Sequence, residues 1–193
     1  MGSILFVVTI LVIAGLAWWY WQRGTHPLPD CLKPGSPLPL FTARTEDGKR
    51  IDSTSLEGAP AVILFVRGSW CPFCSAQVED LTTYYKDIVD LGARLILVTP
   101  APLETTRRVA EMFGVDFEFW LDEDLSAAKA LKLLHRRGVP AAEKPGYGSD
   151  TVWPTALVVD AGGTIRFVEL SKHIVDRPEP KTLLRSLRSV QEA

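Results

Sequence analysis

The chain has 193 residues, 47% of them hydrophobic, and a formal net charge of −2. That suits one packed domain with something in addition, and the near-neutral balance offers no basic face to nucleic acid. Three cysteines are too few for a disulfide scaffold, and no repeat of about 20–50 residues marks a solenoid or propeller.

The first element is apolar. Residues 4–21, ILFVVTILVIAGLAWWYW, carry no charge. Eighteen helical residues reach about 27 Å, near the thickness of a hydrocarbon core. Trp18, Trp19, Tyr20 and Trp21 end the run as an interfacial aromatic belt would. A single-pass membrane anchor over residues 1–23 is therefore expected. The competing reading is a cleaved signal peptide, with Gly15 and Ala17 before the cut, but no Lys or Arg precedes the run.

Residues 24–39, GTHPLPDCLKPGSPLP, hold five prolines and read as a linker, with residues 40–193 as the folded domain. Cys31 falls in this linker and reads as a free thiol. Asp47-Gly48 signals a hairpin turn. AVILFV (61–66) is a continuous apolar run of β-formers, expected as a central strand buried on both faces. Residues 72–90 turn helical, and ARLILVT (93–99) is a second buried strand. Helices are expected over 103–113 and 124–134, flanking a short strand, FEFWL. TALVVD (155–160), a Gly162-Gly163 turn and TIRFVEL (164–170) make a hairpin, and a last amphipathic helix covers 179–190. Two buried strands joined by a helix predict a parallel, right-handed crossover with helices on both sheet faces.

The chemistry concentrates in RGSWCPFC, residues 67–74. Pro72 fits the first helical position, where its missing N–H costs nothing. That makes Cys71 the N-cap, with its sulfur at the positive end of the helix dipole. Such a site favours thiolate, the nucleophile of disulfide exchange. Cys74, one turn deeper on the same side, is the natural resolving thiol. Zinc is disfavoured, since it takes four ligands and His26, His135 and His173 are scattered singly. A disulfide within one helical turn closes too small a loop to act as a staple. A redox dithiol is the reading that remains. Trp70 beside Cys71 is a candidate docking surface, with a packed aromatic as its alternative. Trp153-Pro154, directly before a strand, is a second candidate.

Strand, WCPFC, helix, then WPTALVVD and GGTI resemble the thioredoxin superfamily. The wider segments LKPGSPLPLFTARTEDGKRIDSTSLEG, GARLILVTP, VDFEFWLDED and DRPEP resemble its AhpC/TSA, peroxiredoxin-like branch, over about residues 33–190. The resemblance implies a thioredoxin-like α/β fold (a central mixed sheet flanked by helices), thiol redox chemistry, and a cis peptide before Pro154. This sequence also departs from the pattern. Peroxiredoxins carry Thr or Ser three residues before the reactive Cys and Pro seven before; here those positions hold Gly68 and Leu64. The arginine expected on the returning strand is replaced by Pro154. Arg67 is a candidate substitute, with a surface arginine as its alternative.

The sequence thus points to a membrane-anchored thiol–disulfide oxidoreductase, with Cys71 attacking and Cys74 resolving, and Trp70, Trp153, Pro154 and Arg67 docking the substrate. A thiol peroxidase acting on hydroperoxides through Cys71 is the alternative, and a membrane scaffold with an incidental CxxC is the third reading. Expected partners are protein or small-molecule disulfides or hydroperoxides and an upstream thiol reductant, with no cofactor and no metal. Arg23 and Lys33 after the apolar run argue for a cytoplasmic domain. A redox domain behind an N-terminal anchor is nonetheless expected on the extracytoplasmic, periplasmic side.

Overall fold

A computed structural model describes residues 2–22, 26–100, 117–173 and 175–191, with the side chains of α1 (Gly2–Gln22) described from Phe6 to Trp18. The helix expected over 103–113 lies outside the described residues.

Among the described residues seven strands form one sheet, in the order β2-β1-β5-β4-β3-β8-β9. They are β1 (Thr42–Arg44), β2 (Arg50–Asp52), β3 (Ala61–Phe65), β4 (Arg94–Thr99), β5 (Glu118–Leu121), β8 (Thr155–Val159) and β9 (Ile165–Leu170). A separate two-stranded piece pairs β6 (Leu134–His135) with β7 (Thr151–Val152). β3 runs parallel to β4 and antiparallel to β8, so the apolar run at 61–65 is central, as its lack of alternation predicts. Its side chains divide by parity. Ile63 and Phe65 join Phe41, Trp120, Leu131 and Leu157 on one face. Val62 and Leu64 join Leu81, Ile88, Leu97, Leu183 and both Cys71 and Cys74 on the other. The second face is covered by α2 (Pro72–Thr82), α3 (Tyr85–Asp90) and α6 (Pro180–Gln191).

Several boundaries differ from the sequence expectation. The single helix over 72–90 is broken after Thr82, whose hydroxyl donates to Glu79 O at 2.7 Å. Such back-bonding by a β-branched residue weakens the helix ladder. The helix over 124–134 shortens to α4 (Ser126–Ala130), and a short α5 (Lys144–Tyr147) follows β6. Asp122 starts α4 by accepting from the Ala127 and Ala128 N–H groups at 2.9 Å. Lys132, at φ 59°, ends it, with Leu133 N–H reaching back to Ala128 O, a Schellman-type stop. Among the described residues every peptide bond is trans, so the cis bond implied before Pro154 is absent. The β6/β7 pairing and the ring stack around Trp153 described below deliver the chain to β8 without it.

The proline-rich stretch lies against the domain. Leu32 is fully buried, and Gly35 and Leu38 donate backbone N–H groups to Ile165 O and Gly163 O. At the N-terminus, the apolar side chains described in α1, Phe6 to Trp18, are exposed on all sides. Among the described residues no helix is long and apolar enough to cross a membrane. The spanning helix expected over 4–21 is therefore not supported, and the side chains of Trp19, Tyr20 and Trp21 lie outside those described.

Candidate active site

β3 delivers the chain to the site. Val66 N–H still bonds to Val98 O, extending the β3–β4 pairing by one residue. The chain then turns at Gly68, whose φ of 117° favours glycine. A Cβ there would meet the Trp70 and Tyr147 rings at 3.3 Å. Cys71 follows as the N-cap of α2, with extended dihedrals and Pro72 at the first helical position. The Cys74 N–H points to Cys71 O at 3.0 Å. The Cys71 sulfur makes no strict capping bond but lies in the field of that helix end.

Both sulfurs are thiols and both are enclosed, Cys71 at 1% and Cys74 at 2% exposure. Their surroundings are cationic. Arg177, from the loop between β9 and α6, donates from Nη2 to Cys74 Sγ at 3.1 Å and to Cys71 Sγ at 3.7 Å. The Arg67 backbone N–H also approaches Cys74 Sγ, at 3.5 Å. Asp176 holds the Arg177 loop: its carboxylate accepts from His173 N–H, and its carbonyl accepts from the Ser171 hydroxyl.

This environment drives the two thiols apart. Cys71 is lowered to about 6, first by the hydrogen bond from the Cys74 thiol, then by the Cys74 N–H and the Arg177 and Arg67 charges, against burial. Cys74 is pushed well up, by the same hydrogen bond and by burial. The proton therefore rests on Cys74 while Cys71 carries the charge. Arg177 sits closer to Cys74, yet Cys74 keeps its proton. A neutral Cys74 accepts from Arg177 and donates to the Cys71 thiolate.

The expected docking residues are engaged within the chain. Arg67 is buried at 3% exposure, which excludes the surface-arginine alternative. Its guanidinium lies over the Trp70 ring at 4.5 Å and donates to Gly138 O. Trp70 is half-buried, with Tyr147 edge-on to it at 6.3 Å, and the Tyr147 hydroxyl meets Ser69 Oγ at 2.9 Å. Trp153 is stacked between His135 at 4.2 Å and His26 at 5.4 Å. Pro154 is buried. Burial, then the charges of Arg67 and His26, lower His135 to about 4. Among the described residues no three His, Cys, Asp or Glu side chains gather where a metal ion could sit.

Sequence reasoning missed Arg177 and Tyr147. The guanidinium absent from the returning strand is supplied by Arg177 and by Arg67. The only signal for Arg177 was its place in DRPEP, a rigid loop just before the last helix.

The AhpC/TSA family model matches residues 34–168. The chain belongs to the AhpC/TSA family. Among curated AhpC/TSA-like relatives, it is 25% identical over 137 residues to a chloroplastic peroxiredoxin Q of Gentiana triflora, covering 69% of this chain and 57% of that one. It is 27% identical over 96 residues to the thiol-disulfide oxidoreductase ResA of Bacillus subtilis, covering 49% of this chain and 53% of that one. The chain thus spans a little over half the length of these relatives. The solved structure of peroxidoxin BcpB from Mycobacterium tuberculosis matches with a TM-score of 0.67 at 19% identity, over 82% of this chain and 98% of that one. This likeness places the chain in the thioredoxin-like α/β fold.

Proposed function

We propose that the protein is a thiol–disulfide oxidoreductase. The observation that carries this reading is the thiol pair itself: two buried sulfurs within one helical turn, both reached by Arg177 Nη2 at 3.7 Å and 3.1 Å, with Cys71 lowered and Cys74 raised. The Cys71 thiolate attacks one sulfur of a substrate disulfide, forming a mixed disulfide and releasing the other sulfur as thiolate, which takes a proton from solvent. Cys74 then gives up its proton and attacks Cys71 Sγ. The second substrate thiol leaves, and the Cys71–Cys74 disulfide holds the two electron equivalents lost. An upstream dithiol reductant returns the pair to the reduced state.

A peroxidase is the second reading. It is favoured by the Arg177 guanidinium, which reaches both sulfurs and suits the oxyanion developing at a peroxide. Cys71 would become sulfenic acid as the O–O bond breaks, releasing water or an alcohol, and Cys74 would condense with it, releasing water. Stopped-flow oxidation of the reduced full chain by bis(2-hydroxyethyl) disulfide and by hydrogen peroxide separates the two. The first reading expects a peroxide rate near that of a free thiol at the same thiolate fraction. A peroxide rate far above it, with the Cys71–Cys74 disulfide as product, makes the protein a peroxidase.

We also propose that the apolar N-terminus tethers the domain to a membrane, on the extracytoplasmic side. What supports this is a helix whose described apolar side chains, Phe6 to Trp18, are exposed. Alkaline extraction of membranes tests it: release of the full chain into the supernatant rejects the tether.

A further inference from the structure

Cys71 is enclosed, so a substrate disulfide must approach from a side that can be reached. The Trp70 side is occupied by the Tyr147 ring, the Ser69–Tyr147 hydrogen bond and the Arg67–Gly138 bond. Phe73, between the two cysteines, is exposed among the described residues. Outside α1, the exposed large hydrophobic residues among those described are Leu28, Leu40, Phe73, Val89 and Val175. Two of these, Phe73 at 40% and Val175 at 52% exposure, line one groove beside the thiol pair.

That groove has a volume of about 220 Å³, and Arg177, which bonds both sulfurs, forms part of its wall. It is smaller than sites that hold cofactors or drug-sized ligands, and suits one inserted side chain. Ala76, Pro178 and Pro180 complete its apolar lining. The two prolines fix the backbone of that wall, so little ordering is needed on binding. Its two acidic side chains, Asp80 and Glu179, are exposed at the rim. The Arg177 charge is directed inward to the sulfurs, which leaves the rim acidic toward an incoming chain.

We infer that this groove is the docking site for the disulfide-bearing segment of a partner protein, one that carries an apolar side chain beside its cysteine and a basic residue next to that. The apolar side chain enters between Phe73 and Val175, the basic residue meets Asp80 and Glu179, and the partner's sulfur is brought to Cys71 past Arg177. The inference rests on the oxidoreductase reading and names its substrate class.

The test uses the reduced full chain in mild detergent and three symmetrical peptide disulfides, built from lysyl-leucyl-cysteine, glutamyl-leucyl-cysteine and lysyl-seryl-cysteine amides. Each peptide disulfide is reduced to two thiols as Cys71 and Cys74 close. The lysyl-leucyl peptide should react about tenfold faster than the lysyl-seryl one, from apolar burial. It should react about threefold faster than the glutamyl-leucyl one, a margin that salt narrows. The double variant D80K/E179K should reverse the order of the lysyl and glutamyl peptides; this order is read within one protein and does not depend on its overall activity. Equal rates for all three peptides, with bis(2-hydroxyethyl) disulfide still reduced, overturn the docking site and leave the redox reading standing. Failure of every disulfide overturns both. A dimer at assay concentration that V175D dissolves assigns the groove to a second copy and also overturns the inference.

Discussion

Arg177 Nη2 lies 3.1 Å from Cys74 Sγ, a contact made across 103 residues of sequence. It joins the loop before the last helix to the first turn of α2. A cation there favours thiolate at the pair, and the Cys74 proton passes that preference to Cys71. Replacing Arg177 with Gln should raise the Cys71 thiol by about one unit, cutting its thiolate at pH 6.5 about threefold. Iodoacetamide alkylation against pH reads this directly, and R177K should restore part of the loss. An unchanged alkylation profile in R177Q rules out the electrostatic role.

The Cys74 hydrogen bond is the first cause of the lowered Cys71 thiol. Removing it in C74A should therefore raise Cys71 further than R177Q does, whereas C74S, which keeps a donor, should raise it less. In the wild type, alkylation of Cys71 should climb as pH rises through about 6 and level off above about 7, because thiolate is then nearly complete. Absorbance at 240 nm over the same range checks the assignment.

Gly138 has no room for a side chain. A Cβ there would stand 2.7 Å from the His135 ring and 2.8 Å from Thr151 Cγ2. G138A should cost about 1–3 kcal/mol by overpacking, lowering Tm by about 2–10 °C. Because Gly138 O holds the Arg67 guanidinium, the same variant should also slow Cys71 alkylation near neutral pH. Calorimetry and alkylation on one preparation test both effects.

His135 makes the domain sensitive to acid. Its folded value is lowered from 6.5 to about 4, chiefly by burial. Between those values the unfolded chain binds the proton and the folded one does not. Stability should therefore fall as pH drops from about 6.5 to 4. H135F keeps a ring for stacking on Trp153 and removes the titration, so its denaturant midpoint should vary less with pH across that window.

What the sequence revealed was local. The apolar run at 61–65, Pro72 at the start of α2 and the Cys71–Cys74 spacing all act within a few residues, so strand, cap and dithiol were legible together. The features that needed the fold were long-range. Arg177 carries no periodic or motif signal, and it reaches the sulfurs only because β9 returns the chain beside α2. Trp153 looked like a docking residue because it precedes Pro154. The β6/β7 pairing instead turns it between His135 and His26. The helix break at Thr82 turns on one hydroxyl choosing a backbone acceptor, a competition that propensity alone does not decide.

The most direct test of the central claim is to expose the C74S full chain to bis(2-hydroxyethyl) disulfide and map the product by peptide mass spectrometry. With Cys71 attacking and Cys74 resolving, a single 2-hydroxyethyl adduct should accumulate on Cys71 and persist, while the wild type passes on to the Cys71–Cys74 disulfide. C74S that carries no adduct on Cys71, or wild-type chain that closes no disulfide, contradicts the account.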